Sequence, residues 1–494
     1  MARARASQSR SARPAQRDYK WEVAVIGGGI TGLSAAWALS ADADTVVTVL
    51  EADAQPGGKL ASTDIVGVTV DTGAESMLAA RPEATRLANE VGLRPAIVHP
   101  ESRSVCVLAR GQLREIPTGL VTGVPTNLRA LAASGIISLP GLLRIPMDQV
   151  IRRTEVGADI SVGAYLTARV GREVVERLAD PLLAGVYAGN ADHLSLRMAN
   201  PSLFRQIQKD ASLLQAASRV HSGGAQKAGA RRGPAFAGIR GGIARLAAKT
   251  VSSLQAQGVV IHTGEPVLRL RRARNRWLVA TPSSEREYDA VVMAAPANVA
   301  ADLLRVSAPF TAMQLRAIEY SSQAVVTLAY PVGAMPPVTG TGFFIPPFKG
   351  YQVKGVTFSS NKWEWVARDA RGSSKRGAFI VRASVGRYGD EAALELDDTE
   401  LVNNVRAELT EIAGLPPITI DHRVTRWQNS IPQYHVGHVE LVDRAKRALA
   451  DVPGLALAGA AYDGVGVASC IASGRRAAMD ILRHLDETSE LANG

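Results

Sequence analysis

"WEVAVIGGGITGLSAAWALS", residues Trp21–Ser40, places glycines between a β-type run and an Ala-rich helix pattern. The spacing Gly27-x-Gly29-x-x-Gly32, with a strand before it and a helix after it, is typical of dinucleotide-binding folds. One glycine makes the tight turn, the second lets the backbone approach a pyrophosphate, and the third lets the helix pack on the strand. The helix N-terminus then offers N–H groups and a favourable dipole to the anion. The sequence therefore predicts a Rossmann-like α/β fold.

Later segments extend this pattern toward a larger ligand. The β-type run "TVVTVLE" ends at Glu51, close to the offset of about 20 residues at which an acid binds ribose hydroxyls. Gly57-Gly58-Lys59 then combines backbone access with a positive charge suited to phosphates, and residues 73–76 form another glycine break after a β-type run. These breaks favour FAD lying along the edge of the sheet. NAD is the alternative cofactor.

Cofactor contacts in this part of the chain are expected mainly from the backbone, because glycines leave the main chain uncovered. Backbone exposure at several turns indicates a ligand that is held along its length. The predicted contact residues are Gly27, Gly28, Gly29, Ile30, Thr31, Gly32, Glu51, Ala52, Gly58, Lys59, Gly73, Ala74, Glu75 and Ser76.

Strand and helix patterns alternate unevenly along the chain, so we expect the FAD-binding lobe to be assembled from separate segments. A mixed-sheet lobe and a helical insert complete the predicted architecture. Within the insert, Ser222–Pro234 is predicted to be a loop, and the segment 362–377, "KWEWVARDARGSSKRG", is predicted to be a β-hairpin of the sheet lobe. The predicted units are a disordered basic tail (1–19), the FAD-binding lobe (20–80, 238–298 and 450–485), the substrate-binding sheet lobe (81–120 and 299–449), the helical insert (121–237) and a C-terminal tail (486–494).

Length and cysteine content narrow the class of protein. The 494 residues exceed the size of one ordinary core, so more than one lobe is expected. Cys106 and Cys470 are too few for a disulfide framework or a cysteine-rich metal site, which fits a cytoplasmic protein. His435 and His438 have the spacing of a ligand pair, but no third ligand accompanies them, so no metal is predicted.

The formal net charge of +10 comes in large part from residues 1–17, which carry five arginines and no acid. A nucleic-acid or transit function is one interpretation of such a segment. We adopt the simpler interpretation, a disordered solvated tail, and predict no nucleic-acid partner. No apolar run reaches the roughly 20 residues that cross a bilayer, so no transmembrane segment is predicted. Peripheral membrane contact stays open.

Four further segments carry a resemblance to a known family. They are "DPLLAGVYAGNADHLSL" (180–196), "GVTFSSNKW" (355–363), "RWQNSIPQYHVGH" (426–438) and "GLALAGAAYDGVGVASCIASGRRAA" (454–478). With the N-terminal glycine motif, they make residues 20–485 resemble the FAD-dependent protoporphyrinogen and coproporphyrinogen oxidases of haem synthesis. The glycine motif is shared with many flavoenzymes, whereas "IPQYHVGH" and "YDGVGVASCIASGR" together are restrictive.

The resemblance implies a flavin amine-oxidase-like architecture and further contacts with the cofactor. The last glycine-rich turn would pass the isoalloxazine ring, so Val465, Gly466 and Val467 would line it. Val267 would contact the cofactor near the adenine through its main chain. Trp427 would contact the flavin, with an ordinary core aromatic as the alternative. The helix after the turn would direct its N-terminus toward the reduced, anionic edge of the ring.

The resemblance also implies an activity. The flavin would accept hydrides from a porphyrinogen over three cycles, and dioxygen would reoxidise it to give hydrogen peroxide. We favour coproporphyrinogen III, as in high-GC Gram-positive bacteria, with protoporphyrinogen IX as the alternative. An amine or polyene oxidase and a non-catalytic escort protein are less favoured. Candidate substrate contacts are Arg81, Arg103 (in the strand expected before "IPTGL"), Gly185 and Val186, with a solvated surface residue as the alternative for each arginine.

Several roles stay open at this level. Asp180, Asp192 and Asp463 could accept protons, but each could equally be a turn or cap residue, so no catalytic residue is assigned. The resemblance leaves open a hand-over of product to a ferrochelatase. It also leaves open whether the protein is a monomer or a homodimer.

Overall fold

The structure is a computed structural model that describes residues 20–227, 234–347, 350–372 and 377–493. The predicted N-terminal tail, 1–19, and residues 228–233 of the predicted loop lie outside the described residues.

The described strands are β1 (Trp21–Ile26), β2 (Thr45–Leu50), β3 (Ser62–Ile65), β4 (Val68–Asp71), β5 (Met77–Leu78), β6 (Ile97–Val98), β7 (Cys106–Ala109), β8 (Gln112–Glu115), β9 (Leu120–Val121), β10 (Val124–Pro125), β11 (Phe236–Ile239), β12 (Val260–His262), β13 (Arg269–Ala273), β14 (Arg276–Ala280), β15 (Glu285–Tyr288), β16 (Ala290–Met293), β17 (Tyr320–Pro331), β18 (Gly342–Phe344), β19 (Val353–Phe358), β20 (Ala378–Val385), β21 (Asp421–Pro432) and β22 (Leu455–Leu457).

The described α-helices are α1 (Ile30–Leu39), α2 (Pro82–Glu90), α3 (Leu128–Ser134), α4 (Leu139–Arg144), α5 (Val162–Val170), α6 (Arg172–Val174), α7 (Asp180–Tyr187), α8 (Leu196–Ala199), α9 (Pro201–Ile207), α10 (Leu213–Lys227), α11 (Ala244–Ala256), α12 (Ala297–Leu304), α13 (Pro309–Arg316), α14 (Ser359–Lys362), α15 (Glu364–Gly372), α16 (Asp398–Ala413), α17 (His438–Leu449), α18 (Ala460–Asp463) and α19 (Val467–Asn493).

The first lobe is built on a five-stranded parallel sheet with the order β12-β2-β1-β16-β22. Val23 of β1 pairs with Val47 on one side and Ala290 on the other, so β1 lies at the centre of the sheet. Residues 23–26 are all buried, as expected for a parallel strand covered on both faces. The strands come from the N-terminal, middle and C-terminal parts of the chain, which confirms the predicted assembly of an α/β lobe from separate segments.

Helix α19 packs closely along α1 and joins the two ends of the chain. A Cβ atom on Gly474 of α19 would lie 2.1 Å from the carbonyl oxygen of Thr31 in α1. Glycine therefore allows the two helix backbones to approach. The helix continues to Asn493, which corrects the predicted C-terminal tail at 486–494, because Ile481 and Leu485 keep its apolar face in the core.

The second lobe is a seven-stranded sheet with the order β21-β17-β20-β19-β18-β7-β8. Strands β7 and β8, from the range 81–120, belong to this sheet, whereas residues 82–98 do not. Helix α2 buries Leu87 and Ala88 in the core of the first lobe, and β6 pairs with β11 beside it. Burial of the apolar face of α2 therefore moves the boundary between the two units to the residues before β7.

The helical insert, α3–α10, has its own apolar core and one deeply buried ion pair. The Arg169 guanidinium lies 2.6 Å from the Asp148 carboxylate, and neither side chain is exposed. Helix α10 runs to Lys227, so the start of the predicted loop Ser222–Pro234 is helical instead. The predicted hairpin at 362–377 is also wrong, because α14 and α15 occupy its described part. No described helix combines the length and apolarity needed to cross a bilayer.

We predict that Gly474→Ala destabilises the fold. The added methyl group would overlap a main-chain carbonyl of α1 that cannot rotate away, so the free energy of unfolding should fall by about 2 kcal/mol or more. Thermal and urea denaturation measure this change. Gly333→Ala is the matched control, because a Cβ there meets no described atom within 4 Å. Equal stability of the two variants would contradict the proposed close packing.

Candidate functional site

The carboxyl edge of the parallel sheet is where the glycine-rich turns meet. Helix α1 begins after Gly29 without a hydrogen bond from any described side chain cap and without an acidic residue in its first turn. Its first N–H groups are therefore free to bind an anion. A Cβ on Gly29 would meet no described atom within 4 Å, so open space lies in front of this helix end.

The neighbouring glycines are required by contacts within the protein. Gly27 has φ of +103°, and its Cβ would lie 2.9 Å from the Ala294 carbonyl oxygen. A Cβ on Gly28 would lie 2.9 Å from a carboxylate oxygen of Glu51, and one on Gly32 would lie 1.9 Å from the Gly27 carbonyl oxygen. The motif thus holds β1, β2 and α1 together and leaves space only at Gly29.

Glu51 is fixed at the end of β2. Its carboxylate accepts hydrogen bonds from the backbone N–H groups of Gly28, at 2.6 Å, and Asp53, at 2.8 Å. Each oxygen retains a lone pair, so the carboxylate can still accept ribose hydroxyls. The segment before Val267 is tied to the same place, since the N–H of Glu265 donates to the Glu51 carbonyl oxygen at 2.9 Å. The structure therefore places Val267 near Glu51, and Ala52 is exposed beside it.

The second glycine turn lies against the first. Gly57 donates its N–H to the Gly28 carbonyl oxygen at 2.9 Å. Gly58 has φ of +56°, and its Cβ would lie 3.2 Å from the Gly29 Cα, so a small residue is needed here. Lys59 is accessible to solvent, yet enough protein surrounds it that desolvation lowers the pKa of its ammonium group. We call the space bordered by Gly29, Gly58 and Lys59 the recess. A cation at its edge suits a phosphate ligand.

The last glycine turn leads into α19, whose Cys470 lies close enough to Lys59 to interact with it electrostatically. Gly466 has φ of +103°, and a Cβ on it would meet no described atom within 4 Å. Val467, which begins α19, is buried, and Val465 packs on the core of the helical insert. Asp463 holds the turn through ion pairs with Lys446, at 2.9 Å, and Arg476, at 2.8 Å. The turn is therefore fixed while Gly466 leaves its backbone open.

Glu75 anchors the third glycine break. Its carboxylate lies 3.1 Å from the Lys362 ammonium and 3.0 Å from the Arg382 guanidinium, and it accepts a hydrogen bond from the Trp363 indole at 2.9 Å. Burial raises the pKa of Glu75, but Lys362 and Arg382 outweigh that effect and bring the pKa down to about 2. Its carboxylate is thus committed to a cluster that joins the two lobes, which leaves the main chain of 73–76 for a cofactor.

The sheet lobe also holds the residues that precede Glu75. The Trp427 indole donates to the Thr72 carbonyl oxygen at 2.9 Å, and Arg382 donates to the Gly73 carbonyl oxygen at 3.0 Å. A Cβ on Gly73 would lie 2.1 Å from the Lys59 carbonyl oxygen, so this glycine is required for the close approach. The structure brings Lys59, Gly73 and Trp427 together; Ala74 and Ser76, partly exposed, flank Glu75.

The four candidate substrate contacts lie in different environments. Gly185 on α7 lies against Phe344, where a Cβ would come within 2.5 Å of the ring, and Val186 is 55% exposed. Arg81 forms a surface ion pair with Glu83 at 2.9 Å. Arg103 is exposed and precedes β7, which corrects its expected position in the strand before "IPTGL", because that strand is β8.

The histidines considered as metal ligands and the acids considered as proton acceptors form hydrogen bonds or ion pairs within the protein. The His435 Nδ1 lies 3.0 Å from Glu319, and the His438 Nε2 lies 2.8 Å from the Ala461 carbonyl oxygen. Burial lowers the pKa of His438 to about 4. Asp180 accepts the Ala191 N–H at 2.8 Å, and Asp192 pairs with Arg172. Within the described ranges, no group of three His, Cys, Asp or Glu side chains could hold a metal ion.

Comparison with known proteins gives the family. The family described as "Flavin containing amine oxidoreductase" matches residues 30–482. The chain belongs to the flavin-containing amine oxidoreductase family. The coproporphyrinogen III oxidase of Bacillus subtilis (strain 168) is 31% identical over 95% of this chain and 99% of its own length. The relative of that name in Propionibacterium freudenreichii is 33% identical over 93% of this chain and 90% of its own.

A solved structure supports the same fold. A crystal structure from Exiguobacterium sp. 255-15 has a TM-score of 0.82 and 29% sequence identity, and the match covers 94% of this chain and 99% of that one. Together with the family match, this confirms the predicted flavin amine-oxidase-like architecture and FAD as the cofactor.

The residues of this oxidoreductase fit a flavin dinucleotide. The open space at Gly29 and Gly466 and the uncapped α1 suit a diphosphate and a ring that approach the main chain. Glu51 would hold the ribose, and Lys59 would hold the phosphate. A bound flavin supplies two-electron chemistry, accepting a hydride from a substrate carbon. The protein's own task is then to orient both partners and to shield them from water.

Sequence reasoning missed the residues that hold the cofactor-binding segment from the other lobe. Arg382 is the charged residue of the mainly apolar strand "AFIVRASV", and a charge at a buried strand position was the available signal. Lys362 and Trp363 belong to the motif "GVTFSSNKW", which the resemblance indicated without a role. Asp71 accepts N–H groups at the start of α11 from Ile243 and Ala244. Burial raises its pKa to about 6.

We predict that Gly29→Val folds but does not retain FAD. Gly29 has extended backbone angles, φ −69° and ψ 173°, that any residue adopts, and its side-chain direction is open. The new side chain would occupy the space of the diphosphate. The variant should have the thermal stability of the wild-type apoprotein and lack flavin absorbance near 450 nm. Gly32→Val, which overlaps the Gly27 carbonyl, should fail to fold. Wild-type flavin content in Gly29→Val would contradict this assignment.

We predict that Glu75→Gln lowers the free energy of unfolding at pH 7 by about 3 kcal/mol, because it leaves the buried Arg382 and the partly buried Lys362 without their acid. The folded pKa of Glu75 lies below its usual 4.5, so its stabilising effect is full above that pH and is lost as pH falls toward 2. Denaturation of both proteins between pH 2 and 7 should show the difference shrinking below pH 4.5. Glu83→Gln, which breaks an exposed pair, should cost less than about 1 kcal/mol. A pH-independent difference would contradict this origin.

Proposed function

We propose that this flavoenzyme oxidises coproporphyrinogen III to coproporphyrin III in haem biosynthesis, with dioxygen as acceptor and hydrogen peroxide as by-product. The observation that carries the proposal is the match to coproporphyrinogen III oxidases over nearly the whole of both chains. The glycine-lined recess supports it, because its open backbone positions suit the flavin that such a reaction requires.

The stoichiometry fits a flavin enzyme without a catalytic triad. Conversion of the porphyrinogen to the porphyrin removes six hydrogen atoms, as three pairs of a hydride and a proton. A bound flavin would accept each hydride and pass its two electrons to dioxygen, which would take up the hydride's proton and the proton lost by the substrate to give one hydrogen peroxide. The bound ring therefore supplies the difficult step, and the chain supplies orientation and electrostatic stabilisation.

The described residues support the electrostatic part of this proposal. The N-termini of α1 and α19 lie at one edge of the sheet, and a helix N-terminus stabilises a nearby anion by about 0.3–1 kcal/mol, or more when buried. Lys59 adds a positive charge in the same recess. Gly185 on α7 lies against Phe344 of the sheet lobe, and the next residue, Val186, is exposed, which supports a substrate position between the insert and that sheet.

Protoporphyrinogen IX is the second candidate substrate. A protoporphyrinogen oxidase of Macaca fascicularis is 32% identical over 93% of this chain and 98% of its own length. The two substrates differ in the number of propionates, four against two. Outside residues 1–17, which hold five arginines and no acid, the chain still carries 51 Lys and Arg against 46 Asp and Glu, and this residual positive charge favours the more acidic coproporphyrinogen.

We further propose that the enzyme works in the cytoplasm, where Cys106 and Cys470 remain thiols, and that a ferrochelatase consumes its product. Both cysteines are partly buried, and burial raises the pKa of each thiol, which suits unreactive residues. The porphyrin product is the kind of molecule into which such an enzyme inserts iron. Monomeric and homodimeric forms both agree with this proposal.

We predict that the purified yellow protein converts coproporphyrinogen III to a fluorescent porphyrin, with three hydrogen peroxide molecules formed per porphyrin. Turnover should exceed that with protoporphyrinogen IX, because two additional carboxylates can bind basic groups. Porphyrin fluorescence and a peroxide assay under air measure the reaction, and an anaerobic sample that halts after flavin reduction is the control. A yellow protein that oxidises neither porphyrinogen would contradict the proposal.

A further inference from the structure

Two irregularities of strand pairing lie at the same end of the seven-stranded sheet. The register between β17 and β21 shifts after Ser321, so that Gln323 pairs with Trp427. The register between β19 and β20 shifts between Val353 and Gly355, which makes Lys354 the extra residue. Bulges of this kind redirect side chains and are common next to functional sites. Here they direct the side chains of Gln323 and Lys354 toward each other.

Lys354 is a buried cation with neutral partners. The residue is 3% exposed, and its ammonium donates to the Gln323 Oε1 at 2.8 Å and to the Gly386 carbonyl oxygen at 2.6 Å. An ammonium group has three donors and no acceptor. The amide oxygen of Gln323 must therefore face the lysine, and the amide nitrogen, Nε2, must point the other way.

The Nε2 atom of the Gln323 amide lies on the side that borders the candidate flavin site. Gln323 and Trp427 are paired across neighbouring strands, so their side chains lie on the same face of the sheet. On that face the Trp427 indole donates to Thr72 and lies against Gly73. Gln323 is partly exposed, and the described residues offer its Nε2 no hydrogen-bond partner. Two N–H donors are thus presented beside the segment assigned to the cofactor.

We propose that Gln323 is a hydrogen-bond donor of the active site and that Lys354 is the positioning residue that fixes its amide. The ligand group is an acceptor oxygen, either a carboxylate of the tetrapyrrole or a carbonyl of the flavin. This proposal rests on the proposed function, since it assumes that both molecules bind between the lobes. It adds a side-chain amide donor to a site where Glu51, Lys59 and glycine backbone are the other proposed polar contacts.

The charges around Lys354 make this arrangement dependent on pH. Arg387, which lies 3.8 Å from Asp180, repels the ammonium, and Glu391 attracts it. Burial, followed by Arg387, lowers the pKa of Lys354 to about 7. Below this pH the ammonium requires the amide oxygen. Above it the neutral amine has a lone pair that can accept from Nε2, so the amide is no longer held in one orientation.

A double-mutant cycle tests the proposal with Gln323→Met, Lys354→Met and the double variant, since methionine approximates the shape of both side chains. The holoenzymes are compared for KM and kcat with coproporphyrinogen III, for FAD release on dilution by flavin fluorescence, and for Tm. Each single variant should weaken one binding constant about five- to tenfold. The double variant should be no weaker than Gln323→Met, because the lysine acts through the amide.

The affected constant identifies the ligand oxygen. A raised KM with unchanged FAD release assigns it to the substrate carboxylate, and faster FAD release assigns it to the flavin carbonyl. In the wild type this binding should weaken as pH rises through about 7, and in Gln323→Met it should not. The proposal is overturned if the weakening of binding in the double variant equals the product of the weakening in the two single variants. It is also overturned if the substitutions change only Tm. FAD release remains measurable even if the wild type oxidises no porphyrinogen. A failure of the proposed function can therefore be told apart from a failure of the proposed role of Gln323 and Lys354.

Discussion

The backbone contact between α1 and α19 is the constraint on which the site depends. Gly474 allows the last helix to lie against the Thr31 carbonyl, and this contact joins segments separated by more than 400 residues of chain. The N-termini of both helices are consequently held at one edge of the parallel sheet. In the proposed complex the α1 dipole would favour the diphosphate, and the α19 dipole would favour the reduced, anionic ring.

A second constraint fixes the sheet lobe to this recess. The Glu75 carboxylate is surrounded by Lys362, Arg382 and Trp363, while Arg382 and Trp427 hold the two preceding carbonyls. A buried ion pair gains little net stability over an apolar contact, but its geometry is specific, because each partner left alone is costly. The cluster therefore contributes most by determining where the segment 72–75 lies.

Sequence reasoning succeeded where the signal is local. The strand, Gly27-x-Gly29-x-x-Gly32 and helix follow one another directly, and so does Glu51 at the end of the next strand. It failed where partners are distant, as with Arg382, whose role depends on Glu75. It also misassigned 362–377: Trp363, Val366 and Ala370 are spaced at three and four residues and are buried on one face, a helical period that the adjacent charges obscured.

The pairing of acids around the recess limits what the chain can contribute to the chemistry. Glu51 is held by two backbone N–H groups, Glu75 by two cations, and Asp463 by Lys446 and Arg476. The partners of Glu75 and Asp463 lower the pKa of each acid despite its burial, so both stay ionised and poorly suited to accept protons near pH 7. Orientation and a positive electrostatic environment from helix ends and Lys59 are then the chain's main means of favouring hydride transfer to a ring that becomes anionic.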